Sequence, residues 1–261
     1  MIQKVVIICE LMGIPAEDGD TLRRWAKANG KFRGLSRGDV EAAPREANEA
    51  TVQIERYFLD LVEQRRRPGD DLVSVLVAGH EEGRLSAAEV SAQCRLLFGA
   101  GHQTLIDLVC NGVHAFLSHP EQLRALRADP ALIGPAVEEV LRYEPSVAFQ
   151  HKVAAVDLEI GGQVIREGEA VLLGIAAANR DPEVFADPDC FDICRVARPH
   201  LSFATGAHAC LGMGLARVEL EVALPTLFRR FGHLCLDPEA PRRHRTTLFF
   251  RGFDALPVIT S

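Results

Sequence analysis

The sequence predicts a mainly α-helical fold with small β-sheets, an α+β arrangement in which helices dominate. Residues 1–85 show helical spacing of apolar side chains. A capping-box pattern then opens a helical run of about 32 residues. After Pro145, alternating apolar residues and paired glycines indicate short strands. With 261 residues, 48% of them hydrophobic, the chain has enough apolar surface for a buried core.

The first 85 residues contain two amphipathic stretches, at 20–32 and 39–67, which predict two helices. Gly34, Ser36 and Gly38 lie between them and predict a break. Neither stretch shows a pattern typical of a catalytic or metal-binding site.

A longer helix is predicted to begin at Ser86, because Ser86 and Glu89 fit a capping box in which each side chain binds the other residue's amide. Pro120 marks its end. At 1.5 Å per residue this helix would span about 48 Å, so we expect it to be central. Gly99 and Gly101 lie inside it, and each costs about 1 kcal/mol relative to alanine. A flat group pressed against the helix would account for them.

The following segments alternate between helices and strands. A short helix to residue 128 and another at 135–143 precede a stretch at 153–165 that carries a Gly161-Gly162 turn. With the apolar strand at 171–173, this stretch predicts a small β-meander. Residues 180–206 are then irregular, 211–231 return to helical spacing, and the last 20 residues predict a β-hairpin.

Charge and apolar patterning limit the partners and the compartment. The net charge of −7 and the short basic runs at 65–67 and 242–243 argue against a nucleic acid or an anionic membrane as partner. The start is apolar for only four residues before Cys9, too few for a signal peptide or a membrane span. We therefore expect a cytoplasmic protein. Seven cysteines form no compact framework, so disulfides are not expected.

The segment from Phe203 to Gly212 carries the clearest chemical pattern, Phe203-x-x-Gly206-x-His208-x-Cys210-x-Gly212. Cys210 directly precedes a predicted helix, whose amino terminus favours the thiolate form that binds a metal. Gly206 and Gly212 would let the backbone approach the sulfur. A lone Cys-x-Gly before a helix is ordinarily a structural cysteine, but the complete spacing is far more specific.

This spacing resembles the heme-binding loop of the cytochrome P450 family. The resemblance implies that Cys210 is the axial thiolate ligand of iron in heme b. It also implies that His208 contacts a heme propionate and that Phe203 shields the sulfur. Lys152 falls where the family often has an arginine that reaches a propionate, and lysine keeps the charge but loses the bidentate fork.

Two further patterns are similar to the same family. Glu139 and Arg142 match its Glu-x-x-Arg pair, which implies a buried triad with Arg195 and a structural role. The run Ala100-Gly101-His102-Gln103-Thr104 resembles its oxygen-binding groove, where an acid precedes the threonine. Gln103 replaces that acid and can hold water but carries no proton, so proton delivery would depend on Thr104 and ordered water. The alternative for Thr104 is a hydroxyl bonded to the carbonyl four residues back.

The resemblance covers nearly the whole chain and implies a cytochrome P450-like fold that lacks roughly the amino-terminal third. Residues 1–261 would then be one partial domain, with a helical region at 1–85, the central helix at 86–119, and the Glu-x-x-Arg helix, meander, heme loop and final hairpin at 120–261. In the family the tip of that hairpin lines the substrate pocket.

The implied activity is that of a bacterial-type monooxygenase. It would insert one oxygen atom from O2 into a hydrophobic small molecule, with electrons from a ferredoxin-type donor. One alternative is a non-catalytic remnant that keeps the motifs without a closed pocket. Another is a zinc site, for which the acceptable ligand types are Cys190, Cys194, His200, His208 and Cys210, at spacings that fit no common zinc finger.

Overall fold

The computed structural model describes residues 6–33, 42–64, 69–196, 198–245 and 247–260. The helices of this part of the chain are α1 Val6–Met12, α2 Gly19–Arg33, α3 Ala42–Gln64, α4 Leu72–Glu81, α5 Ala87–Ser118, α6 Pro120–Ala128, α7 Ile133–Tyr143, α8 Ile175–Ala178 and α9 Met213–Arg230. The strands are β1 Phe149–Val153, β2 Leu158–Ile160, β3 Gln163–Ile165, β4 Ala170–Gly174, β5 Cys235–Leu236, β6 Arg243–His244, β7 Phe253–Ala255 and β8 Val258–Ile259. Helices therefore dominate, as predicted. The predicted break at Gly34, Ser36 and Gly38 and the basic run at 65–67 lie outside the described residues.

The chain divides into two compact units, Met1–Ile106 and Asp107–Ser261, and the division falls within α5. The first unit is built from α1 to α4 and the first part of α5. Its core includes Leu22, Phe58 and Phe98, which are fully buried. Phe58 and Phe98 lie with their ring centroids 6.5 Å apart. The apolar faces of the amphipathic helices thus form a core within this unit.

The start of α5 has the predicted capping box. The Ser86 amide donates to Glu89 Oε2 at 2.8 Å, and the Glu89 amide donates to Ser86 Oγ at 3.2 Å. The helix runs for 32 residues and ends at Ser118, two residues before Pro120. Its length of about 48 Å follows from the rise of 1.5 Å per residue. The predicted extent of the long helix is confirmed.

The second unit has its core between α7, α9 and the end of α5. Val137 and Leu220 are fully buried, and Phe116 packs edge-on against both Phe191 and Phe228 at centroid distances of 5.3 and 5.4 Å. Edge-to-face packing of this kind is favoured by the ring quadrupoles. Phe191 belongs to the irregular segment before the cysteine motif, so this core holds that segment as well as the helices.

The strands differ from the predicted meander. β2 and β3 form a hairpin closed by Gly161 and Gly162, whose φ angles of +57° and +76° suit a type I′ turn. β4, however, pairs with β1 in an antiparallel ladder that encloses this hairpin. Ala154 continues this ladder, because its amide donates to the Glu169 carbonyl at 3.0 Å and its carbonyl accepts the Gly168 amide at 2.9 Å. The hairpin is confirmed and the meander is wrong.

The carboxy-terminal hairpin is present and is fixed to α5. β6 pairs with β7, and β5 pairs with β8. Between β6 and β7, Arg245 Nε donates to Oδ1 of the fully buried Asp107 at 2.7 Å, and the Arg245 amide donates to the Gly252 carbonyl at 3.0 Å. A Cβ on Gly252 would overlap the Asp107 carboxylate. Glycine at this position lets the hairpin backbone reach the buried acid.

Among the described residues, no helix combines the length and the apolar composition needed to cross a bilayer.

The close approach of Gly252 to Asp107 predicts a stability loss for Gly252→Ala. The added methyl group would push against a carboxylate held by Arg245, and overpacking of this kind costs about 1–3 kcal/mol. Gly232→Ala is the matched control, because a Cβ there meets no atom within 4 Å, and it should change stability by less than about 0.5 kcal/mol. Urea denaturation followed by circular dichroism measures both. Equal losses in the two variants would contradict the packing argument.

Candidate functional site

The predicted cysteine motif forms a compact loop, residues 203–212, that we call the cysteine loop. Its chain turns at Ala204 and Gly206, whose φ angles are +54° and +78°. The Cys210 amide donates to the Phe203 carbonyl at 2.9 Å, so the two ends of the loop are joined. Gly206 is needed for its left-handed backbone, whereas Ala204 adopts the same region as a non-glycine residue.

The Cys210 side chain lies on the exposed side of this loop, directly before α9. Cys210 is an exposed free thiol, and its neighbour Leu211 is 85% exposed. Gly212 is the N-cap of α9, where its carbonyl accepts the Ala216 amide at 2.9 Å. The amide groups of the first turn of α9 therefore follow Cys210 immediately.

The other predicted ligand contacts lie on two separate elements. His208 is exposed and ends the short 3-10 turn that begins at Gly206, in the same loop as Cys210. Lys152 is exposed on β1, where it pairs with Val171 of β4. The structure thus gathers the five motif residues in one loop and places Lys152 on the two-stranded β1–β4 sheet.

The predicted triad is present and buried. Arg142 Nε and Nη2 donate to the two carboxylate oxygens of Glu139, each at 2.7 Å, and both side chains are almost fully buried. Arg195 Nε lies 3.3 Å from the same carboxylate, to which the Asp192 amide donates at 2.9 Å. Two guanidinium groups and a backbone amide therefore satisfy one buried acid, as a buried charge requires.

The triad also orders the irregular segment before the cysteine loop. The remaining guanidinium hydrogens of Arg142 are donated to the carbonyls of Asn179, Pro188 and Cys190, at 3.0, 2.8 and 3.0 Å. Arg195 donates to Cys190 as well, at 2.9 Å. Backbone carbonyls that would otherwise lack partners are thus satisfied by two arginine forks.

Asn179, which belongs to no recognisable sequence motif, connects this segment to the cysteine loop. It is fully buried, its Nδ2 donates to Ser202 Oγ at 2.8 Å, and its Oδ1 accepts the Leu201 amide at 2.7 Å. Ser202 Oγ in turn donates to the Leu141 carbonyl on α7 at 2.6 Å. The two residues that precede Phe203 are therefore tied to the helix that carries the triad.

Glu138 and Arg217 form a second ion pair that sequence reasoning missed. Arg217 Nε and Nη2 donate to the two oxygens of Glu138 at 2.6 and 3.0 Å, and His200 Nε2 lies 3.3 Å from the same carboxylate. Burial pushes the pKa of Glu138 upward, but hydrogen bonds from His200 and Arg217 lower it to about 2. Because the folded-state pKa is depressed, this stabilisation is present above the usual pKa of 4.5 and is lost as the pH falls through about 2.

The predicted oxygen-binding residues lie on α5 in the first unit. Thr104 Oγ1 donates to the Ala100 carbonyl at 2.7 Å, which is the alternative anticipated for this hydroxyl. Gln103 is partly buried one residue before it. A Cβ on Gly101 would lie 2.9 Å from Ile8 Cδ1, so close packing by Ile8 explains why this position is a glycine. A Cβ on Gly99 would meet no atom within 4 Å. The role of Thr104 towards oxygen stays a prediction.

The described ranges contain no group of three histidine, cysteine, aspartate or glutamate side chains placed to hold a metal ion. The zinc alternative therefore has no site within them. A metal that needs one protein ligand is compatible with Cys210, because its thiol is exposed.

Comparisons with known proteins agree on one family. A family model described as Cytochrome P450 matches residues 24–251. The chain is 43% identical over 253 residues to the biotin biosynthesis cytochrome P450 of Bacillus subtilis (strain 168), and 40% identical over 258 residues to 6-deoxyerythronolide B hydroxylase of Saccharopolyspora erythraea. Each match covers 97% of this chain, but only 63% and 62% of the two relatives.

Solved structures give the same result. The crystal structure of P450BioI in complex with acyl carrier protein ligated to hexadec-9Z-enoic acid superposes with a TM-score of 0.91 at 41% identity. The match covers 98% of this chain and 65% of that chain. The chain therefore spans less than two thirds of the length of these similar proteins.

The buried triad predicts a large stability loss for Arg142→Ala. Removing this arginine leaves the Glu139 carboxylate buried with fewer partners, which costs about 3–5 kcal/mol. Arg166→Ala is the control, because Arg166 pairs with Asp157 at 2.7 Å in an exposed position and should cost less than about 1 kcal/mol. Guanidinium denaturation monitored by circular dichroism compares them. Similar losses for both arginines would show that burial of the triad is energetically unimportant.

Proposed function

Because this chain belongs to the cytochrome P450 family, we propose that its cysteine loop binds heme b and that Cys210 is the axial ligand of the iron. The proposed activity is monooxygenation, in which one oxygen atom from O2 enters a hydrophobic small molecule with electrons from a ferredoxin-type donor. The observation that carries this proposal is the exposed Cys210 thiol at the amino terminus of α9, in a loop whose two ends are joined by a hydrogen bond.

The residues of the loop fit such a group. A heme iron needs a ligand from the protein, and the exposed Cys210 thiol of this loop could supply it. Positions 206 and 212 would meet no atom within 4 Å if they carried a Cβ, which leaves the side of the loop around the sulfur open. The exposed apolar side chain of Leu211 beside Cys210 suits contact with a flat apolar macrocycle.

Exposed basic residues would hold the propionates. His208 lies two residues before Cys210 in the same loop, and Lys152 projects from β1 with a charged amino group on a flexible stem. Ala100 and Gly101 on α5 are further positions proposed to contact the heme, by resemblance to the family alone. When bound, the heme iron supplies the activation of O2 and the thiolate ligand tunes its reactivity.

Thr104 is proposed to take part in the proton transfer that monooxygenation requires. Its hydroxyl donates to the Ala100 carbonyl at 2.7 Å, so its oxygen lone pairs remain suited to accept a hydrogen bond from water. Gln103 can hold that water through its amide but cannot release a proton as a carboxylic acid does. Proton transfer at Thr104 Oγ1 would therefore depend on the supply of ordered water.

A hydrophobic small molecule is the proposed substrate class. Similar proteins support it, since one is named a 6-deoxyerythronolide B hydroxylase and another was crystallised with a hexadecenoic acid on an acyl carrier protein. A non-catalytic chain is the competing proposal, because the match covers less than two thirds of the length of these relatives. Heme binding separates the two.

Cys210→Ala tests the proposed ligand. The purified chain reconstituted with heme, reduced and exposed to carbon monoxide, should give a thiolate-type Soret band, and this band should be absent in Cys210→Ala because the proposed sulfur ligand is gone. Cys235→Ala removes another exposed thiol and should keep the band. If the unaltered chain gives no thiolate-type band, the non-catalytic proposal holds. If Cys210→Ala retains the band, the ligand is a different cysteine.

Thr104→Ala tests the proton role. With a surrogate ferredoxin system and hexadec-9Z-enoic acid as the probe substrate, the peroxide released per O2 consumed should rise by about tenfold, because the hydroxyl that carries the proton is missing. Thr104→Ser keeps the hydroxyl and should stay close to the unaltered chain. An oxygen electrode combined with a peroxide assay measures this ratio. An unchanged ratio in Thr104→Ala would show that the hydroxyl has no role in proton transfer and serves only the hydrogen bond to the Ala100 carbonyl.

A further inference from the structure

The Glu138–Arg217 ion pair lies against the cysteine loop, and two hydrogen bonds join its partly exposed side chains. Arg217 stands near the start of α9, and both of its donor nitrogens bind one Glu138 carboxylate, at 2.6 and 3.0 Å. The side chain of Arg217 is 34% exposed and that of Glu138 is 37% exposed, so solvent screens the attraction between the two charges. The bidentate contact nevertheless fixes the plane of the guanidinium group.

That guanidinium group covers the ring of Phe203. Arg217 Cζ lies 4.8 Å from the ring centroid, within the range of a cation–π contact. Glu138 therefore does not only balance the charge of Arg217. It holds the cation over the aromatic ring of the residue that begins the cysteine loop.

His200 also contacts this ring. Its side chain is 5% exposed, and its ring centroid lies 5.8 Å from that of Phe203. Its Nδ1 accepts the Ser202 amide at 3.2 Å, and its Nε2 lies 3.3 Å from Glu138 Oε2. Glu138 thus accepts hydrogen bonds from Arg217 and lies beside His200, the two groups that contact the Phe203 ring.

The position of Phe203 bears directly on Cys210. The Phe203 carbonyl accepts the Cys210 amide at 2.9 Å, and the next residue, Ala204, has a φ of +54°, which alanine adopts only when its surroundings require it. A ring that moved would release this turn, and the amide of Cys210 would lose its partner. The side-chain contacts of Phe203 therefore reach the backbone of the proposed iron ligand.

We propose that Arg217, held by Glu138, is a positioning residue that acts through the Phe203 ring to fix the backbone of Cys210. The consequence for iron rests on the proposed function of Cys210, whereas the effect on the loop itself does not. This role is separate from that of the buried triad, which binds the carbonyls of the preceding segment and leaves Phe203 to Arg217 and His200.

Amide hydrogen exchange of the heme-free chain, followed by NMR, tests the proposal without any assumption about iron. In Arg217→Gln, exchange of the Cys210 amide should accelerate by at least about tenfold, because the turn that protects it opens locally. Exchange of the Asp192 amide, which donates to Glu139 in the triad, should change by less than about twofold. Phe203→Leu should reproduce the effect, and the double variant should add little to it, because both changes remove the same contact.

Two conservative variants separate geometry from charge. Arg217→Lys keeps the cation but loses the fork, so its effect should fall between those of the unaltered chain and Arg217→Gln. Glu138→Gln leaves Arg217 in place without its charged partner and gives the same test if Arg217→Gln does not fold. An unchanged Cys210 amide in these variants, or equal acceleration at Asp192, would overturn the proposal.

A spectroscopic measurement then connects the loop to the metal. In the reconstituted chain, conversion of the thiolate-type carbon-monoxide band to a thiol-type band should be about tenfold faster in Arg217→Gln than in Arg166→Gln, which alters an exposed arginine elsewhere. Equal conversion rates would overturn the effect on the ligand. If no chain binds heme, the proposed function fails, while the exchange data still decide whether Arg217 positions Cys210.

Discussion

The second unit depends on one constraint, the need to satisfy the buried carboxylate of Glu139. Two arginines approach it, and a buried cation also needs acceptors for every hydrogen that it carries. Arg142 finds them among backbone carbonyls of a segment that has no regular secondary structure. The long irregular stretch before the cysteine loop is thus ordered by hydrogen bonds to arginine, in the way that a strand is ordered by its neighbours.

The same constraint extends to the proposed ligand through a short series of contacts. The Asn179 carbonyl accepts from Arg142, and its side chain binds Leu201 and Ser202 just before the cysteine loop. On the other side, the pair of Glu138 and Arg217 holds the first residue of the loop. The two neighbouring glutamates on α7 therefore have different roles. Glu139 orders the segment that leads to the cysteine loop, and Glu138 acts on the loop itself through Arg217.

Sequence patterns predict the parts of this fold whose partners are close in the chain. The capping box of Ser86 and Glu89, the Gly161-Gly162 turn and the contiguous cysteine motif each depend on a few neighbouring residues, and the structure contains all three. Glu138 and Arg217 stand 79 positions apart, and only the packing of α7 against α9 brings them together. The pairing of β1 with β4 could not be predicted for the same reason. Periodicity indicates that a segment is a strand, but it carries no information about which strand is its partner.

The exposure of Cys210 has a consequence for the maturation of the protein if this residue is the iron ligand, as proposed. A sulfur that is open to a metal is equally open to peroxide and to other thiols, and the chain carries further exposed cysteines at 190, 194 and 235. Oxidation beyond the sulfenic stage is irreversible for most proteins and leaves no thiolate to act as a ligand. If Cys210 is the iron ligand as proposed, cofactor insertion would compete with oxidative damage for the same atom, and a reducing environment would protect the sulfur until insertion has taken place.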